Sequence, residues 1–163
     1  WGAFGGSLYC MWETIFGLAN LVAMLAWVVL ILGPRGPIVL QALFFGPLLM
    51  LAATYATCLA LVLAGVIPTT GGADFTSIAG VRSIFASDAG ATIGWIHYLA
   101  FDLFIGIWIV RNAERQGLSG LKGRLIQAPI LVFTFMAGPL GLALYIATRA
   151  IFVRGRSAHL IPA

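Results

Sequence analysis

Residues 91–111, ATIGWIHYLAFDLFIGIWIVR, decide how the chain is read. The run is long enough to cross a bilayer as a helix, for which about 20 apolar residues suffice. Yet it carries His97, Tyr98 and Asp102. A carboxylate at the bilayer centre costs roughly 3 kcal/mol on insertion scales, so Asp102 belongs toward a bundle interior or a wet cavity. His97 and Asp102 stand about 140° apart around a helix of 3.6 residues per turn, too far to pair with each other. His97 shares its side with Phe101, Phe104 and Trp108. Asp102 shares its side with Trp95, Tyr98 and Gly106, where the glycine leaves room for a second helix or a ligand.

The rest of the chain agrees with a membrane setting. Of 163 residues, 61% are hydrophobic and 9% charged, and the mean hydropathy is +1.05. Water-soluble domains of ordinary composition do not approach these values. We expect an all-α, polytopic membrane bundle of four transmembrane helices, forming a single domain over 1–163. The spans fall at about 12–32, 38–66, 91–111 and 125–151. The first reads as a full span rather than a signal peptide, and the missing initial methionine leads us to expect residues upstream of Trp1. It stops at Gly33-Pro34-Arg35-Gly36-Pro37, and the second bends at Gly46-Pro47. The second loop holds ADFTSIAGVRSIFAS, in which Ile78, Val81 and Phe85 recur at helical spacing. This predicts a short helix lying in the interface.

Nine basic residues against five acidic ones sit mostly at the ends of apolar runs. That pattern suits interfacial anchoring and excludes a nucleic-acid footprint. Four spans would put both termini on one side and divide the basic residues five against four, a slight lean to termini outside. Cys10 and Cys58 lack metal-ligand spacing and read as unpaired.

Several polar groups lie within spans. Asn20 belongs inside the bundle, where it finds a hydrogen-bond partner. Thr134, Gly138, Gly141, Tyr145 and Thr148 form a small and polar stripe along the fourth span. Asp102 has two kinds of role open to it: proton transfer, or a structural bond to Asn20, Thr134, Tyr145 or Arg149. His97 is an acid/base group, an axial ligand to a pigment metal, or an interfacial histidine bonded to loop backbone. Trp95 and Trp108 suit a belt or packing as well as a ligand wall. Two histidines, one of them at position 159, cannot assemble a histidine-rich iron site, and no phosphate-binding or dinucleotide motif occurs. Hence no metal site and no identifiable cofactor are expected.

GWIHYLAFDLFIGIWIV followed by FTFMAGPLGLALY resembles the abscisic-acid-deficient-type family, membrane proteins related to plant neoxanthin synthase. ETIFGLANLVAMLAW and ADFTSIAGVRSIF extend the resemblance over about residues 12–151. The pattern departs at Ile107, where relatives carry arginine, at Asn112, where they carry aspartate, and at Gly120-Leu121-Lys122. The resemblance implies carotenoid chemistry: a cofactor-independent isomerisation of an epoxy-carotenoid to an allenic one, using an acid at the epoxide oxygen and a base at a neighbouring carbon. It nominates Asp102, Tyr98 and His97 as catalytic groups; as ligand contacts we expect Asn20, Trp95, Phe101, Trp108, Thr134 and Tyr145. The alternative is a non-catalytic structural or pigment-contacting subunit of a photosynthetic or other membrane complex. Either reading implies membrane lipid and a carotenoid or other apolar pigment as partners, in a bacterial inner or photosynthetic membrane.

Overall fold

The computed structural model describes residues 2–67, 74, 76–118 and 120–158, with side chains described between 10 and 150. All regular structure among them is helical: α1 (Gly2–Leu32), α2 (Pro37–Leu43), a π turn (Phe44–Leu48), α3 (Leu49–Leu63), α4 (Ile78–Phe85), α5 (Asp88–Arg115), α6 (Gly120–Met136) and α7 (Gly138–Ala158). Three stretches are long and apolar enough to cross a membrane: Cys10–Leu32, Pro37–Leu63 and Asp88–Arg115.

The second of these is one path through α2, the π turn and α3. Pro47 has no N–H and its ring crowds the carbonyl four residues back, so the ladder widens by one residue. The result is a π turn at the position where Gly46-Pro47 predicts a bend. Cys10 is exposed, Cys58 is buried, and both are free thiols.

α5 is the axis of the bundle, with half of its 28 residues buried. It runs parallel to α1. At one end Trp12 packs in a cluster with Ala89 and Ile93; further along, a Cβ on Gly106 would fall 2.6 Å from the Trp27 ring. α3 runs antiparallel to α5, so that Tyr55 meets His97 and, on the π turn, Phe44 meets Phe104. The missing side chain at Gly106 is therefore what seats Trp27 against the axis.

Residues 78–85 form the expected short helix. Ser77 caps it by accepting from the Gly80 N–H at 3.0 Å. Asp74 accepts from the Thr76 N–H at 2.8 Å and from the Thr76 and Ser77 hydroxyls at 2.6 Å. The Ser77 and Thr76 bonds hold the Asp74 carboxyl down at about 2, so it stays ionised as a staple at neutral pH. No residue of α4 is buried, and Ile78 and Phe85 are largely exposed.

The expected fourth span, 125–151, is not a single helix. It divides at Ala137 into α6 and α7, which fold back on each other. A Cβ placed on Gly141 would lie 2.5 Å from the Thr134 Cα, whereas residues seven apart in one helix are separated by about 10.5 Å. α6 begins beside the α5 C-terminus, where Gln127 donates to the Leu118 carbonyl at 2.9 Å. Its end reaches the middle of α5, where Tyr98 donates to the Phe135 carbonyl at 3.2 Å. α7 then returns: Tyr145 packs edge-on to Trp108 and donates to Asn112 Oδ1 at 2.7 Å.

Pro139 is the local cause. It cannot donate to the Phe135 carbonyl and its ring excludes that oxygen, so the helix stops. Gly138 and Gly141 then let the two backbones come within side-chain distance. Termini on one side, as four spans would require, are not observed. α7 heads back to the end of α5 opposite the end where α1 begins.

Gly141→Leu should overpack this turn and cost about 1–3 kcal/mol. Gly17→Leu meets no atom within 4 Å and should cost far less. Thermal unfolding in detergent micelles measures both.

Candidate functional site

The hairpin tip lies in the plane of Asp102. Pro139 leaves the Phe135 carbonyl without a helical donor, and the start of α7 leaves the Gly138 N–H without a helical acceptor. In hydrocarbon each orphan costs several kcal/mol. α5 answers both from one face. Tyr98 donates to Phe135, and the Asp102 carboxyl faces the Gly138 N–H. A Cβ on Gly138 would sit 2.6 Å from Asp102 Cγ, so only glycine admits the carboxyl this close.

Asp102 is 4% exposed, and its Oδ2 accepts no hydrogen bond. Its Oδ1 lies against Gly138 at the α7 N-terminus, where backbone N–H groups favour negative charge, while Oδ2 has no donor among the described residues. Tyr98 stands one turn away with its hydroxyl beside that carboxyl.

An aromatic and amide run leads from this pair toward the start of α5. Trp95 stacks on Tyr98 at 5.2 Å and on Phe16 at 6.0 Å. Its indole N–H donates to Asn20 Oδ1 at 3.0 Å, while Asn20 donates to the Phe16 carbonyl at 2.8 Å. Above lies a cavity of about 190 Å³ between α1 and α5, lined by Trp12, Glu13, Phe16, Asp88, Ala91 and Thr92. Phe16, which lines this cavity, is continued along α5 by the stacked rings of Trp95 and Tyr98. A second, almost wholly apolar groove of about 320 Å³ lies on another face of α5, lined by Phe44, Leu48, Leu49, Ala52, Ala100, Phe101 and Phe104.

The structure therefore gathers Asn20, Trp95, Tyr98 and Asp102 and separates the other nominated residues from them. His97 lies against Tyr55 at 5.1 Å and Phe101 at 4.6 Å, on the apolar groove's side of α5. No bond from His97 to loop backbone occurs among the described residues. Trp108 and Tyr145 belong to the far end, with Asn112. Thr134 is inside the hairpin and donates to its own helix, at the Ile130 carbonyl, 2.8 Å away. The side-chain partners expected for Asp102, namely Asn20, Thr134, Tyr145 and Arg149, are thus engaged elsewhere or distant, and the backbone at Gly138 lies against its carboxyl instead. Sequence reasoning missed Gly138 as a site residue; the Gly-Pro pair mid-run was the signal. Among the described residues no three His, Cys, Asp or Glu side chains are grouped to hold a metal ion.

The profile of the ABA4-like family, described as ABA DEFICIENT 4-like, matches residues 14–145. The chain belongs to the ABA4-like family. The matched region covers α1 through the hairpin to Tyr145, so every contact of the tip lies inside the part shared with the ABA4-like family. No curated protein and no solved structure matches the chain.

Removing the acceptor should loosen the tip. Asp102→Ala should cost about 1–2 kcal/mol, the upper range for loss of a helix cap, and Asp102→Asn, which keeps an acceptor oxygen, should cost less. Comparing the two by thermal unfolding in the same detergent separates the cap from general burial.

Proposed function

We propose that this member of the ABA4-like family acts on a carotenoid in a bacterial inner or photosynthetic membrane, as a cofactor-independent isomerase of the neoxanthin-synthase type. The observation that carries the reading is the buried Asp102 oxygen without a hydrogen-bond partner among the described residues, set beside Tyr98 at the end of the Phe16–Trp95–Tyr98 ring stack. Family membership supports a neoxanthin-synthase-like role at family level.

The chemistry needs no electron acceptor. Opening an epoxide to an alcohol with formation of an allene moves one proton on to oxygen and one off carbon. The carbon–oxygen bond breaks as the carbon–hydrogen pair becomes the new double bond. Tyr98 is suited to donate at oxygen and Asp102 to accept from carbon, since they lie one helical turn apart on the same side of α5. Phe16 and Trp95 offer flat faces to a polyene, with Asn20 fixing the Trp95 ring. His97 and Phe101, across the axis, contribute to the second groove rather than to this pair. Exposed Ile78 and Phe85 suit α4 to lie in the membrane interface.

The test is conversion of added epoxy-carotenoid by protein reconstituted in liposomes. Asp102→Asn should lower turnover by roughly 100-fold or more, the usual contribution of a positioned acid or base, and Tyr98→Phe should act in the same direction. Unchanged product formation in a folded Asp102→Asn protein would remove Asp102 from the chemistry.

A further inference from the structure

The folded-back hairpin redistributes the charge of the chain. Residues at the α1–α2 turn, the end of α5, the start of α6 and the far part of α7 all lie at one end of the bundle. That end carries Arg35, Arg111, Arg115, Lys122, Arg124 and Arg149, with Glu114 the one acid among the described residues. The opposite end carries Glu13, Asp74 and Asp88 with Arg82 alone. A spanning fourth helix would have moved Arg149 across and blurred the contrast.

The cations at this end do two kinds of work. Arg124 donates to the Leu32 carbonyl at 3.0 Å and to the Gly33 carbonyl at 2.5 Å, closing the end of α1. Arg35 donates to Gln127 Oε1 at 2.8 Å; burial and the neighbouring Arg124 charge pull its guanidinium below the usual arginine value, with Glu114 opposing. These two lock the α1–α2 turn to α6. Arg111 lies 5.6 Å over the Phe44 ring. Arg115, Lys122 and Arg149 are exposed and have no ion pair or hydrogen bond among the described residues.

We propose that α6 and α7 form a re-entrant hairpin, entering and leaving the bilayer on one side, and that the basic end so formed docks on the anionic phospholipid headgroups of the cytoplasmic leaflet. Short basic loops are retained on the cytoplasmic side, and an anionic leaflet attracts unpaired cations held at its surface. Arg115, Lys122 and Arg149 are the headgroup contacts. The cavity lined by Trp12 and Phe16 then lies toward the opposite leaflet. The inference rests on the hairpin and the charges and stands whether or not Asp102 is catalytic.

Two measurements test it on the full chain. Single cysteines at Gly36, Ile78, Leu121 and Ala150, in a Cys10→Ser, Cys58→Ser background, are probed with a membrane-impermeant maleimide in intact cells of a bacterial host. Ile78→Cys alone should label from outside, the other three only after permeabilisation. Ala150→Cys labelling together with Ile78→Cys would overturn the re-entrant hairpin, and Gly36→Cys and Leu121→Cys labelling from outside would overturn the orientation. Separately, the protein in bilayers of phosphatidylcholine mixed one-to-one with phosphatidylglycerol should unfold several degrees higher than in phosphatidylcholine alone. Arg115→Gln, Lys122→Gln and Arg149→Gln combined should lose that difference. An equal Tm for the unsubstituted protein in both bilayers would overturn the headgroup contact.

Discussion

A helix end placed in hydrocarbon must find partners for its backbone within the protein, because no water reaches it. On the proposed re-entrant placement the tip of the α6–α7 hairpin is such an end, and α5 supplies what it lacks. The Phe135 carbonyl released by Pro139 accepts from the Tyr98 hydroxyl, and the Asp102 carboxyl lies against Gly138 at the start of α7. The rest of the arrangement follows. With its tip held at the middle of α5, the hairpin returns along α5 to Asn112 and gathers the basic segments at one end.

This gives Asp102 and Tyr98 a structural task beside the proposed chemical one. Each holds the tip through one contact, and Asp102 keeps an oxygen in reserve. Asp102 is held in place for proton transfer by the fold, whereas Tyr98 must turn its one O–H from the Phe135 carbonyl to donate to a substrate oxygen. The loss of either group then has a structural and a chemical consequence, and stability and turnover must be read together. His97 stands apart, on the apolar groove formed where the π turn draws Phe44 and Leu48 toward Phe101 and Phe104.

Much of this was legible in the amino-acid sequence. Apolar runs of membrane length marked the three spans, Gly46-Pro47 marked the bend, and Ile78, Val81 and Phe85 marked α4. Helical period alone separated His97 from Asp102, and the motif around Asp102 carried the family. The hairpin was not legible, because an apolar run of 27 residues looks the same whether it crosses a bilayer or turns within it. A Gly-Pro pair commonly only kinks such a helix. The choice was made by contacts distant in sequence, Gly138 on Asp102 and Gly141 on Thr134. The neighbour of Asp102 was missed for a related reason: its candidates were side chains, and what lies against it is the backbone at Gly138, placed there only because the helix is broken.

The most direct measurement of the central claim is the distance between spin labels at Leu125→Cys and Ile146→Cys, in a background without the native cysteines, with the protein in lipid bilayers. Both positions are exposed. Neighbouring antiparallel helices pack 8–10 Å apart, so a folded-back hairpin predicts a label separation of roughly 20 Å or less. One continuous helix would place the two positions about 32 Å apart, and a distance of that size would contradict the account.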